Sequence, residues 1–136
     1  MRSAPISMKQ ICLLVILLTN GITLLKSDIS DDIASAIRSG SAAQIAHYFA
    51  SSVDLKILNQ ENIYSKAQAE LILKDFFAKH PPQKFTIAHK STLKNDSQFA
   101  IGTLETGNGK FRLNFVMKTN GVTSILTQFR VEPEDE

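Results

Sequence analysis

The chain has 136 residues, with 15 basic residues against 13 acidic ones, eight phenylalanines, no tryptophan and a single cysteine. That length holds one domain, and one cysteine excludes a disulfide-stapled scaffold. The formal charge of +2 lies at the N-terminus: residues 1–27 contain Arg2, Lys9 and Lys26 and no acid, which leaves 12 basic against 13 acidic residues and a net charge of −1. No basic surface is implied, so nucleic acid is not expected as a partner.

Residues 1–27 read as a signal peptide. "MRSAPISMKQ" is short and basic, "ICLLVILL" is an apolar run, and "TNGITLLKS" is mixed and polar. No A-x-A triplet marks the cleavage point, which is placed between 21 and 27. The alternative is an uncleaved N-terminal membrane anchor. Residues 11–25 are interrupted by Thr19, Asn20, Gly21 and Thr23, whereas a spanning helix needs about 20 apolar residues. The expectation is therefore an exported protein, periplasmic or secreted, with no membrane span in the mature chain. Cys12 lies at the front of the apolar run rather than after it, which argues against lipid attachment at a cleavage-site cysteine.

The folded unit is expected over 28–132. "SDISDDIASAIRSG" places Ile29, Ile33, Ala36 and Ile37 at helical spacing, with acids in the first turn and Gly40 as the stop. Ser41 caps a second helix through Phe49. "VDLKIL" (53–58) alternates as a strand, and "NQENIY" is a turn with a short strand to Tyr64. Ser65 caps the strongest helix, "KAQAELILKDFFAKH", which Pro81-Pro82 ends. The period then becomes two, and strands are expected over 84–91, 98–106, 110–119 and 122–132. The residues 133–136, "PEDE", form an acidic tail.

Register follows from burial, because a one-residue slip turns a whole strand over. Three-residue loops at Gly107-Asn108-Gly109 and Thr119-Asn120-Gly121 are preferred. They set Ile101 opposite Phe115, Thr103 opposite Leu113, Phe115 opposite Ile125 and Phe111 opposite Phe129. One face then carries Phe85, Ile87 and His89, then Phe99, Ile101 and Thr103. It continues with Phe111, Leu113, Phe115 and Met117, then Ile125, Thr127, Phe129 and Val131. The other carries Lys90, Arg112, Asn114, Lys118, Gln128 and Arg130, mixed with Ala88, Ala100, Gly102, Val116 and Leu126. The fold class is α+β, with the N-terminal helices packed on one face of a curved antiparallel sheet.

This order of elements resembles the cone-shaped fold of the nuclear transport factor 2-like (cystatin-like) superfamily. More narrowly, "DDIASAIRSGSAAQIAHYFASSVDL", "YSKAQAELILKDFFAKHPP", "FAIGTLETGNGKFRLNFVMK" and "ILTQFRVE" look like a family of small exported bacterial proteins within it, known as a domain of unknown function. The likeness runs from about residue 28 to 132 and is most specific over 64–82 and 100–105. It implies the fold, export and a pocket between sheet and helices, where the superfamily's enzymes keep an Asp, His or Tyr as acid or base. It supplies no catalytic residues to carry over.

The pocket candidates are His89, Tyr64, Tyr48, His47, Thr103 and Thr127. His89 lies in phase with the apolar face and reads either as a base titrating near neutrality or, preferably, as a histidine satisfied by a backbone carbonyl. Tyr64 and Tyr48 read preferably as structural rings with wet hydroxyls. No mid-strand carboxylate stands beside His89 to make an acid–base pair. The three histidines lack close ligand spacing, so neither a metal nor another cofactor is expected. "GNGKFR" lacks the features of a phosphate loop. "NDS" at 95–97 fits a glycosylation acceptor, a short match that matters only in a eukaryotic secretory route. Arg112, Asn114, Val116, Leu126, Gln128 and Arg130 form a candidate homodimer face, against a monomer with scattered apolar residues. Three functions stay open. The first is a non-catalytic exported domain binding a small apolar ligand or another envelope protein. The second is a small isomerase, hydratase or hydrolase using His89. The third is an interaction module with a filled core.

Overall fold

The computed structural model describes residues 28–120 and 122–135. The expected signal peptide, Gly121 and Glu136 lie outside the described residues. Helix α1 (Ile29–Arg38) is capped by Asp28, whose side chain accepts from the Ser30 amide, and α2 (Ala42–Ala46) by Ser41. Between them Gly40 takes φ +66°, a conformation suited to glycine. Strands β1 (Phe49–Ile57) and β2 (Gln60–Ser65) form a hairpin. A capping box between Ser65 and Gln68 opens α3 (Lys66–Lys79). Strands β3 (Pro82–Thr92), β4 (Ser97–Thr106), β5 (Gly109–Asn120) and β6 (Thr123–Pro133) complete the chain.

The fold is α+β, with helices against one face of a six-stranded sheet in the order β2-β1-β6-β5-β4-β3. Two elements differ from expectation at their boundaries. The second helix stops at Ala46, and Phe49 already belongs to β1, which pairs in parallel with β6; the other neighbours are antiparallel. Glu134 is tied down: its amide donates to the Lys110 carbonyl (3.1 Å).

Register holds the larger corrections. The β4–β5 turn has two residues, Gly107 and Asn108, because Thr106 pairs with Gly109. Ala100, Gly102, Leu104 and Thr106 therefore face the helices, and Phe99, Ile101 and Thr103 face out, the reverse of the expected assignment. The β5–β6 reversal closes on Asn120 and Thr123 rather than Lys118 and Val122. A bulge at Thr127 then puts Phe115 opposite Phe129, not Ile125, and Phe111 opposite Pro133. Net parity is kept, so Phe111, Leu113, Phe115, Phe129 and Val131 all point inward as expected and are buried. Leu126, on the turn side of the bulge, pairs with Met117 and is buried as well. In β3 a bulge at Ala88 turns His89 outward and brings Lys90 to the helix side.

Seven of the eight phenylalanines are buried, and the interior is filled. Phe76 of α3 meets Phe111 edge-on at 5.2 Å, and Phe49 meets Phe129 at 6.1 Å. Phe85 lies over Gly102: a Cβ there would meet the Phe85 ring at 2.9 Å and collide with the Thr86 carbonyl oxygen. At the far end of α1, the Arg38 Nε donates to the Phe85 carbonyl (2.8 Å).

Ion pairs fasten the same layers. Lys90 Nζ reaches Asp31 (2.9 Å) and Asp28 (3.4 Å), joining β3 to α1, and Lys56 reaches Glu132 (2.7 Å) across the parallel pair. At Asp28 burial resists ionisation, but the Ser30 bonds and the Lys90 ammonium outweigh it and hold the carboxyl below its ordinary range. The Lys56 hydrogen bond does the same for Glu132. The Asp31 hydrogen bond raises Lys90 against the cost of burial.

Leu104→Ala should cost about 2–5 kcal/mol in urea unfolding, and Thr103→Ala on the same strand no more than about 1 kcal/mol. The opposite order would restore the three-residue turn. Gly102→Ala should cost about 1–3 kcal/mol by overpacking. Because the folded carboxyls of Asp28 and Glu132 titrate low, their stabilisation is present above about pH 4 and is lost as pH falls through their folded values. The Lys90 contribution is lost only as pH rises above about 10.4. The pairs are partly solvated, so each is worth under about 1 kcal/mol. Thermal melts should show a smaller acid-side decline for Asp28→Asn and Glu132→Gln than for the parent; an unchanged decline in both would remove this account.

Candidate functional site

The expected pocket residues are not brought together. His89 is exposed on the outer face, opposite Ile101, because the Ala88 bulge reverses the strand just before it. Thr103 also faces out, where its hydroxyl reaches Glu134 (3.4 Å). Thr127 is the bulge residue, bonded to the Val116 carbonyl (3.4 Å). Tyr64 lies on edge strand β2 and packs against the core. β2 and β3 are opposite edges of the sheet, so five strand spacings, roughly 24 Å measured along the sheet, separate Tyr64 from His89, which also face opposite sides. One small substrate cannot bridge that distance.

His47 and Tyr48 sit at the end of α2 with rings 5.7 Å apart, edge to face. Together with Asp32, Ala36 and Gln44 they line an open cleft of about 160 Å3. His80, expected to be exposed from its place before two prolines, is half-buried and structural. Its Nδ1 is 2.8 Å from Asn108 Oδ1, and its ring stands 4.9 Å from both Phe76 and Phe111. Among the described residues, no three His, Cys, Asp or Glu stand together in a metal-holding group. No described helix is long and apolar enough to cross a membrane.

Two features remain with the character of a site. The first is the outer sheet face. Of the candidate dimer residues, Arg112, Asn114, Val116, Gln128 and Arg130 lie on it, whereas Leu126 is wholly buried on the helix side and is removed from the set. Phe99, Ile101 and Ile125, assigned inward from the alternation, join Val116 there as half-buried apolar groups. Across the sheet, Asn114 neighbours Arg130, Arg130 neighbours Lys56, and Lys56 neighbours Glu61. Arg130 Nη2 holds Glu61 (3.1 Å) and Asp54 (3.2 Å). Ile63, 70% exposed, ends the neighbouring row.

The second is a cleft of about 200 Å3 at the N-terminal end of α1, lined by Asp28, Ser30, Lys90, Thr92, Gln98 and Met117, with Phe99 beside them. Sequence alternation hid it, because the Ala88 bulge moves Lys90 and Thr92 to the inner side and the two-residue β4–β5 turn puts Gln98 there.

A model of the family described as domain of unknown function DUF4783 matches residues 30–132. A solved family protein from Bacteroides uniformis is 28% identical, with a TM-score of 0.74 over 80% of this chain and 100% of its own. Another, from Bacteroides fragilis, is 29% identical, with a TM-score of 0.72 over 79% and 100%. A domain with a cystatin-like fold from Nostoc punctiforme shares 8% identity and a TM-score of 0.62 over 79% and 74%, a likeness of fold alone. No curated protein matches the chain. The matched span covers the helices and all six strands to Glu132, and the chain belongs to the DUF4783 family, on a nuclear transport factor 2-like, cystatin-like fold.

Proposed function

We propose that the protein is an exported, non-catalytic interaction module with a filled core, and that it pairs through the outer face of its sheet with a second copy of itself. The observation that carries this reading is the outer face. Phe99, Ile101, Val116 and Ile125 make a half-buried apolar stripe there, while the inner face is already packed with phenylalanine. An apolar stripe rimmed by charge is the usual make-up of an interface.

Charge favours a copy of the same chain. On β2, β1 and β6 the outer face carries Asp54, Glu61 and Glu132 against Lys56 and Arg130, a negative excess. On β3, β4 and β5 it carries Lys84, Lys110, Arg112 and Lys118 against Glu105, a positive excess. A two-fold axis through the stripe lays each half over its opposite. Export rests on the basic start and apolar run of residues 1–27. An apolar ligand inside the cone and catalysis by His89 have less support, given the filled interior and the outward histidine. An envelope protein of similar charge pattern is the other occupant this face fits.

Sedimentation equilibrium of the native protein should give a dimer that weakens as salt is raised. Val116→Glu and Ile101→Glu should each give a monomer whose far-UV spectrum and cooperative melt are retained. A native protein that stays monomeric at high concentration overturns self-pairing. Unchanged dimers in both variants overturn the choice of face.

A further inference from the structure

The cleft at the N-terminal end of α1 borders the core at Met117 and the outer stripe at Phe99, and its polar chemistry is its own. Ser30 is 2% exposed, and its hydroxyl has no hydrogen-bond partner among the described residues. A buried hydroxyl left unpaired lowers stability, so an orphan at the edge of a cleft calls for an occupant. The Thr92 hydroxyl and the Gln98 amide also have no side-chain bonds among the described residues and line the same space.

The helix end is not an anion site. The Ser30 amide is taken by Asp28 Oδ1, and the Asp31 and Asp32 amides by the Asp28 carbonyl. Lys90 is held by both Asp28 and Asp31. Two carboxylates around one ammonium leave the rim net negative, which repels an anion, and both carboxylates are already engaged by Lys90, which disfavours a cation. What is left to offer is neutral: hydroxyls, an amide, the spare ammonium proton, and apolar surface from Phe99 and Met117. The volume of about 200 Å3 equals that of about seven waters, the scale of one hexose ring.

We propose that this cleft binds a neutral, hydroxyl-rich ligand the size of a single sugar residue. Ser30, Thr92 and Gln98 pair with its hydroxyls, and Phe99 and Met117 meet its C–H face. The site shares Phe99 with the proposed pairing face, but its polar contacts at Ser30, Thr92 and Gln98 lie on the helix side, so either proposal can fail without the other.

The test uses protein recovered after expression of the full chain. Amide NMR spectra are titrated with methyl glucoside, methyl galactoside and methyl mannoside to tens of millimolar, with acetate and methylammonium as charged counterparts. At least one glycoside should saturably shift the amides of Ser30, Thr92 and Gln98. Ser30→Ala and Gln98→Ala should each weaken its binding about threefold to tenfold. Ser30→Ala should also raise the ligand-free Tm by several degrees, because it deletes an unpaired buried hydroxyl. Shifts from acetate or methylammonium alone, no saturable shift from any glycoside, or unchanged affinity in both variants would overturn the proposal. A Ser30→Ala Tm at or below that of the parent would do so too, since it would mean the hydroxyl already has a partner.

Discussion

The grip of helix α3 on the β4–β5 turn decides which residues the sheet presents to either side. Asn108 donates through Nδ2 to the Lys79 carbonyl (3.0 Å), and its Oδ1 lies 2.8 Å from His80 Nδ1. Inside the turn, the Thr106 hydroxyl donates to the Gly109 carbonyl (2.8 Å). These bonds hold the loop at two residues. A third residue would turn β4 over, taking Leu104 out of the core and putting Phe99 and Ile101 in. Only the observed face suits its neighbours: Ala100 and Gly102 are small enough for the Phe85 ring to cross the strand, which brings β3 and α1 down onto the sheet.

The two bulges divide the inner surface into unlike halves. Away from α1's first turn, strict alternation supplies Phe85, Leu104, Phe111 and Val131, and the space is packed solid. Past Ala88 and Thr127 the alternation has shifted, so Lys90 and Leu126 now point inward while His89 points out. Thr92 and Gln98 sit opposite one another at this end, next to Met117. A β-bulge re-aims side chains at a sheet's margin, and here it ends the apolar core and begins a polar rim beneath the Asp28 cap. The polar cleft thus has two causes, the Ala88 bulge behind Lys90 and Thr92 and the two-residue turn behind Gln98.

What could be read from the chain beforehand was what local chemistry determines. Ser65 with Gln68, Asp28 before an apolar period of helical spacing, and the Pro81-Pro82 stop each act within one or two turns. The four C-terminal strands were legible for the same reason. Turn length was not, because "GNG" suits two- and three-residue reversals alike, and the deciding partners, Lys79 and His80, lie almost thirty positions earlier. Bulges leave no mark on alternation: Phe85, Ile87 and His89 keep a period of two in the sequence even though the strand breaks it at Ala88. One signal was available, since Lys90 could satisfy Asp28 and Asp31 only from the inner side. The parallel contact between β1 and β6 joins the two ends of the domain, which no local pattern encodes. The inward set on β5 and β6 survived because the displaced turn and the Thr127 bulge together shift pairing by an even number of residues.

The outer face is unusual in how fully its charges are settled before any partner arrives. Arg130 is shared by Asp54 and Glu61, and Lys56 is taken by Glu132. Burying an isolated guanidinium in an interface costs several kcal/mol in desolvation. Burying one whose Nη2 is already flanked by two carboxylates costs less, although its Nε is buried without a partner, and preorganisation of this kind lowers the cost of association. The charges left less engaged, Arg112 and Lys118, stand on β5 beside Val116, at the margin of the apolar stripe, where a partner's acidic half can meet them while they remain partly wet. That division, neutralised pairs toward β1 and spare cations toward β5, makes the face directional. A second copy turned about a two-fold axis answers it, and one laid parallel does not.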